Sequence, residues 1–417
     1  MNATQDAFAA LRYRDFSIVT LNQFCLTLAI LIQEIIVAYS LYKITKDPLT
    51  LGLIGLAEAI PFIALSLWGG YFADRFNKQT IMKICLFFAI PLPLVLWGLF
   101  HAYGLKQIEL STLSWGVYAV IFGLGTIRGF YNPSATSLKP FLIPREIYAN
   151  GATRTTIGWQ SGVIIGPMLG GLMLAFLGRE TSFISVAVLL SLCFLLVNLL
   201  SKRTFPKIET ERVLQSLGEG FRFIAKTKIV PWAISLDLVS VLFGGVIALL
   251  PIFAEDILKI GPEGLGYLRA APSIGALITM IALTRFPPTR HAWRNMLLAV
   301  AGFGLFTLLF AYSNYLWLSL FALAMTGACD SISVVIRQTI LQIYPPENMR
   351  GRVAAVNGMF VSSSNELGAF ESGLAAKYLG PVIATVFGGS MTLLVVALSW
   401  AKTKDLFGVD ITQAEQK

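Results

Sequence analysis

The sequence predicts an all-α integral membrane protein with twelve transmembrane helices in two six-helix bundles. Hydrophobic residues make up 56% of the 417 residues and charged residues only 13%, whereas a soluble domain carries roughly a quarter charged residues. About twelve apolar runs are long enough to cross a bilayer. One long polar segment near the middle of the chain divides these runs into two sets of six, which predicts two bundles.

Composition also excludes several other classes of protein. The mean hydropathy of +0.71 rules out a disordered chain. The four cysteines, Cys25, Cys85, Cys193 and Cys329, lie in apolar runs without a CxxC spacing, so we expect them to be small core residues. The polar lead-in before the first apolar run lacks a small-residue cleavage site, so we expect no cleavable signal peptide. The net charge of +9 indicates positively charged cytoplasmic loops and no nucleic-acid partner.

Each predicted helix is an apolar run of about 20 residues or more, the length that a helix needs to cross the hydrocarbon core. The runs are roughly 16–43, 50–72, 79–103, 111–137, 150–177, 181–201, 229–255, 264–284, 294–313, 315–342, 352–377 and 379–401. The one long polar connection runs from Ser201 to Lys228. We therefore predict an N-terminal bundle over 1–201, a cytoplasmic linker over 202–228, and a C-terminal bundle with a short tail over 229–417.

The distribution of Lys and Arg predicts the orientation of the chain. An even number of spans leaves both termini on one side of the membrane. That side, with the middle linker, holds roughly 22 basic residues, and the loops on the opposite side hold roughly 6. Cytoplasmic loops collect Lys and Arg, so we expect a multi-pass membrane protein with both termini in the cytoplasm.

The two halves show weak similarity of the kind expected for parallel repeats. Aligning Pro61 with Pro272 superposes GLIGLAEAIPF on GLGYLRAAPSI and matches Glu58 with Arg269. A second alignment, made on Pro144 and Pro346, matches Arg128 with Asp330 and Gly166 with Gly368. Charges of opposite sign at matched positions favour a site formed by two related bundles.

Nine of the charged residues within the predicted spans are singled out, because a charge at the centre of a spanning helix costs about 2.5–3.5 kcal/mol on insertion scales. Depth along each helix assigns Glu34, Glu58, Arg269, Glu366 and Glu371 to the outer half of the membrane. The same measure assigns Arg128, Asp237, Asp330 and Arg337 to the inner half. All nine are candidates for proton coupling or for binding substrate.

Polar residues also share helix faces. Gln23 and Glu34 are about three turns apart on the first span, as are Asn22 and Gln33, and Asp330 and Arg337 share a face of the tenth. Asn22, Gln23, Gln33 and Asn365 are candidates for lining a polar cavity. Two interpretations remain open for the charges. They form buried salt bridges that fix packing, or, for Glu34 and Glu58 above all, they bind and release protons.

No catalytic or metal-binding motif is present. HExxH, GxSxG, Walker A and Cys/His clusters are all missing from the sequence. We therefore expect no enzyme activity, no cofactor and no metal site.

The loop after the second span reads Gly69-Gly70-Tyr71-Phe72-Ala73-Asp74-Arg75-Phe76-Asn77-Lys78. It resembles the G-x-x-x-D-R-x-G-R-K loop of the major facilitator superfamily, with Asn77 in place of the second glycine. The resemblance implies a gating role for Gly70, Asp74, Arg75 and Lys78.

The fifth span contains Gly162, Gly166, Pro167, Gly170 and Gly171, which resemble the G-x-x-x-G-P-x-x-G-G motif of antiporters in the same superfamily. Small residues at four-residue spacing allow close helix packing, and the proline bends the helix. Arg128 matches the basic residue that the superfamily uses in proton coupling.

Further stretches, such as Arg128-Gly129-Phe130-Tyr131-Asn132-Pro133 and Leu268-Arg269-Ala270-Ala271-Pro272, resemble the bacterial branch of enterobactin-exporter and drug-efflux-like proteins. The resemblance implies a monomeric, proton-coupled exporter that moves an amphipathic organic solute, with a siderophore as the leading candidate, by alternating access. The alternatives are a multidrug efflux pump, a nutrient uptake carrier, a metal-ion carrier, and a membrane enzyme or receptor.

Overall fold

The computed structural model describes residues 8–201 and 213–410. Every regular element in these two ranges is helical. The fifteen α-helices are α1 (Arg14–Thr45), α2 (Leu49–Arg75), α3 (Lys78–Ala89), α4 (Pro91–Gly104), α5 (Leu110–Leu138), α6 (Tyr148–Phe176), α7 (Gly178–Asn198), α8 (Val213–Lys226), α9 (Ile229–Phe243), α10 (Leu250–Ile252), α11 (Gly261–Arg285), α12 (Ala292–Ala311), α13 (Leu316–Ile343), α14 (Glu347–Leu379) and α15 (Pro381–Lys402).

Eleven helical segments among the described residues are long and apolar enough to cross a bilayer. The predicted span that is not among these eleven is 352–377, which lies in α14, a helix of 33 residues. At 1.5 Å per residue this helix is about 50 Å long, more than the roughly 30 Å of a hydrocarbon core. α14 is less apolar than the others because it carries Arg350, Arg352, Glu366 and Glu371.

Two of the predicted spans are not continuous helices. The run 79–103 is divided at Pro91 into α3 and α4, because proline has no backbone N–H to continue the helical hydrogen bonding. The run 229–255 is interrupted at Gly244 and Gly245, followed by a 3-10 turn, by α10 and by a π-helix over Phe253–Ile257. Adjacent glycines in a helix favour such a break.

The described residues form two compact units. The first unit comprises α1, α2 from Ala57 onward, α3 to α7, and the six residues Gly261–Gly266. The second unit comprises the start of α2 up to Leu56, α8 to α10, α11 from Tyr267, and α12 to α15. Of the predicted linker, residues 202–212 lie outside the described residues, and 213–226 form α8. The predicted domain boundaries stay a prediction.

The helix pairings inside the two units correspond. In the first unit, α1 packs against α6 and α7, and α5 packs against α3 and α4. In the second, α9 packs against α14 and α15, and α12 packs against α13 and α15. This order matches α1 with α9, α5 with α13, α6 with α14 and α7 with α15, as the predicted parallel repeat requires.

Matched backbone positions support the same repeat. Gly178, the first residue of α7, and Gly380, just before α15, both have positive φ values, of 76° and 84°. Glycine adopts this left-handed conformation without steric cost, which allows the chain to reverse sharply between two long helices. Lys46 and Lys259, in the loops before α2 and α11, also have positive φ.

Each unit has its own apolar core. In the first, Phe16, Met82, Leu86 and Leu138 are fully buried or nearly so, and Cys85 and Cys193 pack among them. The core of the second is centred on Trp293, whose indole N–H donates to the Thr403 hydroxyl at 2.7 Å. The three cysteines of the first unit, Cys25 included, are buried and unbridged, and Cys329 is partly buried and unbridged.

Candidate functional site

Asn22 on α1 joins three helices of the first unit. It is fully buried. Its side-chain oxygen accepts a hydrogen bond from the Tyr131 hydroxyl on α5, and its side-chain nitrogen donates to the Cys193 carbonyl on α7 at 2.7 Å. A buried amide needs such partners to offset its desolvation. Tyr131 was not among the predicted site residues, although it lies three residues after Arg128 and so near the same face of α5.

The remaining polar residues of α1 are arranged differently. The Gln23 side-chain oxygen accepts a hydrogen bond from Lys139, just beyond the end of α5. Gln33 is 2% exposed, and its side-chain nitrogen has no hydrogen-bond partner among the described residues. A buried donor without a partner costs about 1–3 kcal/mol of folding free energy. Gln33 therefore destabilises the fold, and it lies on the face of α1 that was predicted to be polar. Glu34, next to it, is partly buried.

Glu58 on α2 and Arg128 on α5 form an ion pair. Their side chains are 14% and 32% exposed, and the guanidinium lies 5.5 Å from the centre of the Phe62 ring. The two helices approach closely one turn before Arg128, because a Cβ on Gly125 would meet the Glu58 carbonyl. The missing side chain at Gly125 thus allows the guanidinium to reach the carboxylate.

This ion pair differs from the depth assignment made on sequence. Glu58 was predicted in the outer half of the membrane and Arg128 in the inner half. Counting residues treats every helix as straight and perpendicular to the membrane. Because α2 and α5 cross at glycines, residues at different nominal depths come into contact.

Asp237 on α9 and Arg337 on α13 form the corresponding ion pair of the second unit. Their side chains are only 5% and 3% exposed. Asp330, predicted to share a face with Arg337, lines a small cavity beside this pair, together with Asp237, Ser240 and Ser333. Ser240 and Ser333 were not predicted as site residues, because they carry no charge and belong to no motif. Ser333 could have been found from its spacing, since it follows Asp330 by three residues and lies on the same helix face.

The other predicted site residues of the second unit, three charged and one polar, do not line that cavity. Arg269 donates to the Ile247 carbonyl at 3.2 Å, in the turn where α9 is interrupted. The Glu366 carboxylate lies next to Gly55, at the start of α2. The Asn365 side chain donates to the Val361 carbonyl of its own helix at 2.8 Å. Glu371 is partly buried.

The segment 69–78, predicted as a loop, is mostly helical, because α2 continues to Arg75 and α3 begins at Lys78. A Cβ on Gly69 would meet the backbone of Gly129 on α5, while Gly70 has open space around it. Gly69, not the predicted Gly70, is therefore the glycine of close approach. Asn77, where the superfamily pattern has glycine, caps α3 by accepting from the backbone N–H groups of Gln79 and Thr80.

The basic residues of the segment 69–78 lie against aromatic rings. The guanidinium of Arg75 is 4.7 Å from the centre of the Tyr71 ring, and the ammonium of Lys78 is 5.5 Å from that of Phe141. Lys78 is 1% exposed and Asp74 is partly buried.

The glycines of α6 produce the close packing predicted from their spacing. A Cβ on Gly162 would meet Thr27 at 2.8 Å, and one on Gly166 would meet Leu31 at 2.9 Å. Gly170 packs on Ile32, again on α1. These three glycines therefore form one continuous contact of α6 with α1. Gly171 and Pro167 instead lie against Gly266.

A larger cavity, of about 410 Å³, lies in the first unit where α1 and α6 end and α7 begins. Tyr39, Ser40, Lys43 and Arg179 contribute its polar side chains. None of the predicted site residues lies in it. The sequence did not mark these residues as a site, because Lys43 and Arg179 lie at helix ends, where basic residues are common.

Two repeated sets of membrane-crossing helices, each containing an ion pair that joins two of its own helices, have the architecture of a secondary transporter. The sequence model of the Major Facilitator Superfamily matches residues 19–369, which is most of the chain. The chain therefore belongs to the Major Facilitator Superfamily. It is a multi-pass membrane transporter and not an enzyme, as the sequence predicted.

Relatives and solved structures agree with this assignment. The chain is 25% identical to the multidrug efflux pump Tap of Mycolicibacterium fortuitum over 365 residues, 83% of this chain and 85% of that protein. It is 25% identical to the enterobactin exporter EntS of Escherichia coli O81 (strain ED1a) over 411 residues, 92% of this chain and 90% of that one.

Among solved structures, the nucleoside transporter NupG superposes with a TM-score of 0.70 at 14% identity, covering 97% of this chain and 100% of that one. A POT family transporter in complex with 5-aminolevulinic acid gives a TM-score of 0.74 at 11% identity, covering 94% and 96%. At these identities the likeness concerns the fold alone, and it confirms the predicted fold class.

Proposed function

We propose that this protein is a proton-coupled exporter of an amphipathic organic solute, with a siderophore as the leading substrate class. It works as an antiporter by alternating access in the bacterial inner membrane, as a monomer with both termini in the cytoplasm. Two relatives that align with most of the chain are named as exporters, one of enterobactin and one of several drugs. The antiporter-like glycines of α6 favour export over nutrient uptake.

The ion pair between Glu58 and Arg128 is the observation that carries the proposal. A charge inside the membrane is costly unless it is paired. Protonation of Glu58 removes the negative charge and frees Arg128 from the ion pair. In an antiporter the solute and the proton occupy the carrier in turn: the solute leaves on the outer side, protonation of Glu58 then resets the empty carrier, and deprotonation on the cytoplasmic side restores the pair.

The surroundings of Arg128 fit an anionic aromatic solute. The Phe62 ring lies beside the guanidinium. A guanidinium next to aromatic rings binds flat anionic groups through both charge and stacking. Phenolate and carboxylate groups, common in siderophores, have this chemistry.

Transport into everted vesicles under an imposed pH gradient tests the proposal. We expect Glu58→Gln to reduce gradient-driven uptake at least tenfold, since a neutral side chain can neither pair with Arg128 nor release a proton. Glu34→Gln is made in parallel, because Glu34 is the second carboxylate of this unit with a predicted role. The matched control is Glu146→Gln, an exposed glutamate in a short turn before α6. Unchanged uptake in both Glu34→Gln and Glu58→Gln would show that the mechanism is wrong.

A multidrug efflux pump is the second candidate function, favoured by the similarity to Tap. Drug-susceptibility profiling of a deletion strain separates the two candidates. Increased sensitivity to many unrelated lipophilic compounds supports the multidrug pump. A defect confined to secretion of one siderophore supports the leading proposal.

A further inference from the structure

The cavity beside the Asp237–Arg337 pair is small and polar on one side. Its volume is about 10 Å³, enough for about one water molecule. Asp237 and Ser240 from α9 and Asp330 and Ser333 from α13 supply its polar side chains. Val300 and Phe303 of α12 close the other side. Two carboxylates and two hydroxyls therefore surround a space of molecular size.

The two carboxylates in this cavity differ in their partners. Asp237 pairs with Arg337. Asp330 makes no hydrogen bond or ion pair with any of the residues that the structure describes. With both aspartates ionised, the cluster carries a net charge of −1 inside the membrane, where an uncompensated charge is strongly unfavourable. Two carboxylates sharing a site also disfavour each other's ionisation.

No other element packed against α13 brings a counter-charge into the lining of the cavity. α11 contacts α13 through Pro272 at Gly327, one turn before Asp330, and its Arg269 donates to the Ile247 carbonyl. α12 contributes only apolar side chains to the cavity. On α14, Glu366 lies beside Gly55, and Arg352 pairs with Glu219 of α8.

The hydroxyls indicate what the cavity binds. The Ser240 hydroxyl donates to the Leu236 carbonyl at 2.6 Å, which leaves its oxygen free to accept. The Ser333 hydroxyl is buried and has no hydrogen-bond partner among the described residues. Buried polar groups are rarely left in this state. A protonated carboxyl donates one O–H and therefore needs an acceptor nearby, which Ser333 supplies.

We propose that Asp330 is a proton-binding site of the second unit, in which its protonated carboxyl donates a hydrogen bond toward Ser333 through one water molecule in this cavity. The role of the site in transport rests on the proposed proton coupling. The binding itself does not, because it is a property of the cavity and requires no solute. Uptake of a proton converts the Asp330 carboxylate to a neutral carboxyl and leaves the Asp237–Arg337 pair ionised.

A bound metal cation is less suited to the same cavity. Hard cations such as Mg²⁺ and Ca²⁺ gather about six or more oxygen ligands. The cavity presents four polar side chains, and Arg337 already engages the Asp237 carboxylate. A proton needs only one carboxylate and one acceptor.

Infrared difference spectroscopy on the purified full-length protein in lipid nanodiscs tests the inference. We expect acidification of the wild type to produce a C=O signal from protonated carboxyls, one component of which, the Asp330 band, is lost in Asp330→Asn. Asp256→Asn is the control, because Asp256 is an exposed carboxylate in the same unit, paired with Lys46, and should keep the band. Persistence of the full band in Asp330→Asn would overturn the inference.

A second pair of variants keeps the test valid where Asp330→Asn fails to fold. Ser333→Ala removes the proposed acceptor and should lower the midpoint of the band by about half a pH unit, since a net hydrogen bond of this kind is modest. Ser331→Ala is the matched control, because its hydroxyl donates to the Gly327 carbonyl outside the cavity. An unchanged midpoint in Ser333→Ala contradicts the inference.

Two further measurements separate this site from the proposed function. Replacing choline by sodium at constant ionic strength should leave the band unchanged, and its suppression by sodium would make this a sodium site and overturn the inference. If the Asp330 band is present but a pH gradient drives no solute transport, the proposed function fails and the site stands. If gradient-driven transport is intact but the band is independent of Asp330, the site fails and the proposed function stands.

Discussion

Single residues stabilise this protein mainly where a polar group is buried. Asn22 is the example in the first unit, because one amide contacts α5 and α7 from α1. The Asp237–Arg337 pair is the example in the second. Breaking either interaction leaves a polar group stranded among apolar side chains, and the resulting penalty is larger than the net value of the interaction itself.

Removal of the Tyr131 hydroxyl tests the contact to Asn22. We expect Tyr131→Phe to destabilise the protein by about 1–3 kcal/mol, because the Asn22 oxygen loses its donor in a buried site. Thermal unfolding in detergent measures the effect. Tyr148→Phe is the control, since that hydroxyl donates to the Pro140 carbonyl at an exposed position. Equal melting temperatures for the two variants would contradict the assigned role of Tyr131.

Removal of one member of the Asp237–Arg337 pair should destabilise the protein more than Tyr131→Phe does. We expect Arg337→Ala to cost about 3–5 kcal/mol, because it strands the Asp237 carboxylate. The double variant Asp237→Leu with Arg337→Met should recover most of the loss, since no unpaired charge remains. Unfolding by detergent titration gives the comparison. A double variant as unstable as the single one would show that stranded charge is not the cause.

At the scale of elements, glycines decide which helices touch. Gly125 contacts Glu58 and Pro61 of α2, and Gly327 contacts Pro272 of α11. The two crossings occupy matched positions in the two repeats. Small residues are needed where helices cross in lipid, because close backbone approach supplies the packing energy there.

Addition of one methyl group at either crossing tests this interpretation. We expect Gly125→Ala and Gly327→Ala each to destabilise by about 1–3 kcal/mol, the usual cost of overpacking, since the added carbon meets backbone atoms. Gly98→Ala on α4 is the control, because nothing lies within 4 Å of its position, and alanine favours helix. Thermal unfolding of the three variants should rank Gly98→Ala as the most stable.

The helix breaks were the elements that hydropathy did not predict. Hydropathy over a window of residues registers only how apolar a segment is, so it merged α3 with α4 and continued α9 through Gly244. The signals were present as Pro91 and as the adjacent pair Gly244 and Gly245. Proline is tolerated elsewhere inside these helices, at Pro61, Pro133, Pro167 and Pro272. Its presence alone therefore does not predict a break.

At the scale of the whole molecule, the excess of Lys and Arg on one side of the membrane predicts the orientation. A reporter fused after Lys417 tests it. We expect green fluorescent protein at this position to fluoresce and alkaline phosphatase to be inactive, because the first folds in the cytoplasm and the second is active in the periplasm. The opposite pattern would place the C-terminus outside and contradict the predicted topology.

The sequence by itself determined that the protein is an all-helical, multi-pass membrane protein of a transporter family. These properties depend on the length and composition of local segments, which require no knowledge of partners. The candidate charges were also visible, because any charge in an apolar run stands out. Close packing of α6 was predictable from glycine spacing alone.

Only the tertiary structure decided which of those charges meet. Glu58 and Arg128 lie 70 residues apart in the chain, and Arg337 pairs with Asp237 on α9 instead of acting with Asp330 on its own helix. Helix crossing angles and offsets along the membrane normal determine such pairs, and they result from packing between distant segments. Packing between distant segments also places Asp330 and Ser333, whose hydroxyl has no hydrogen-bond partner among the described residues, in one small cavity.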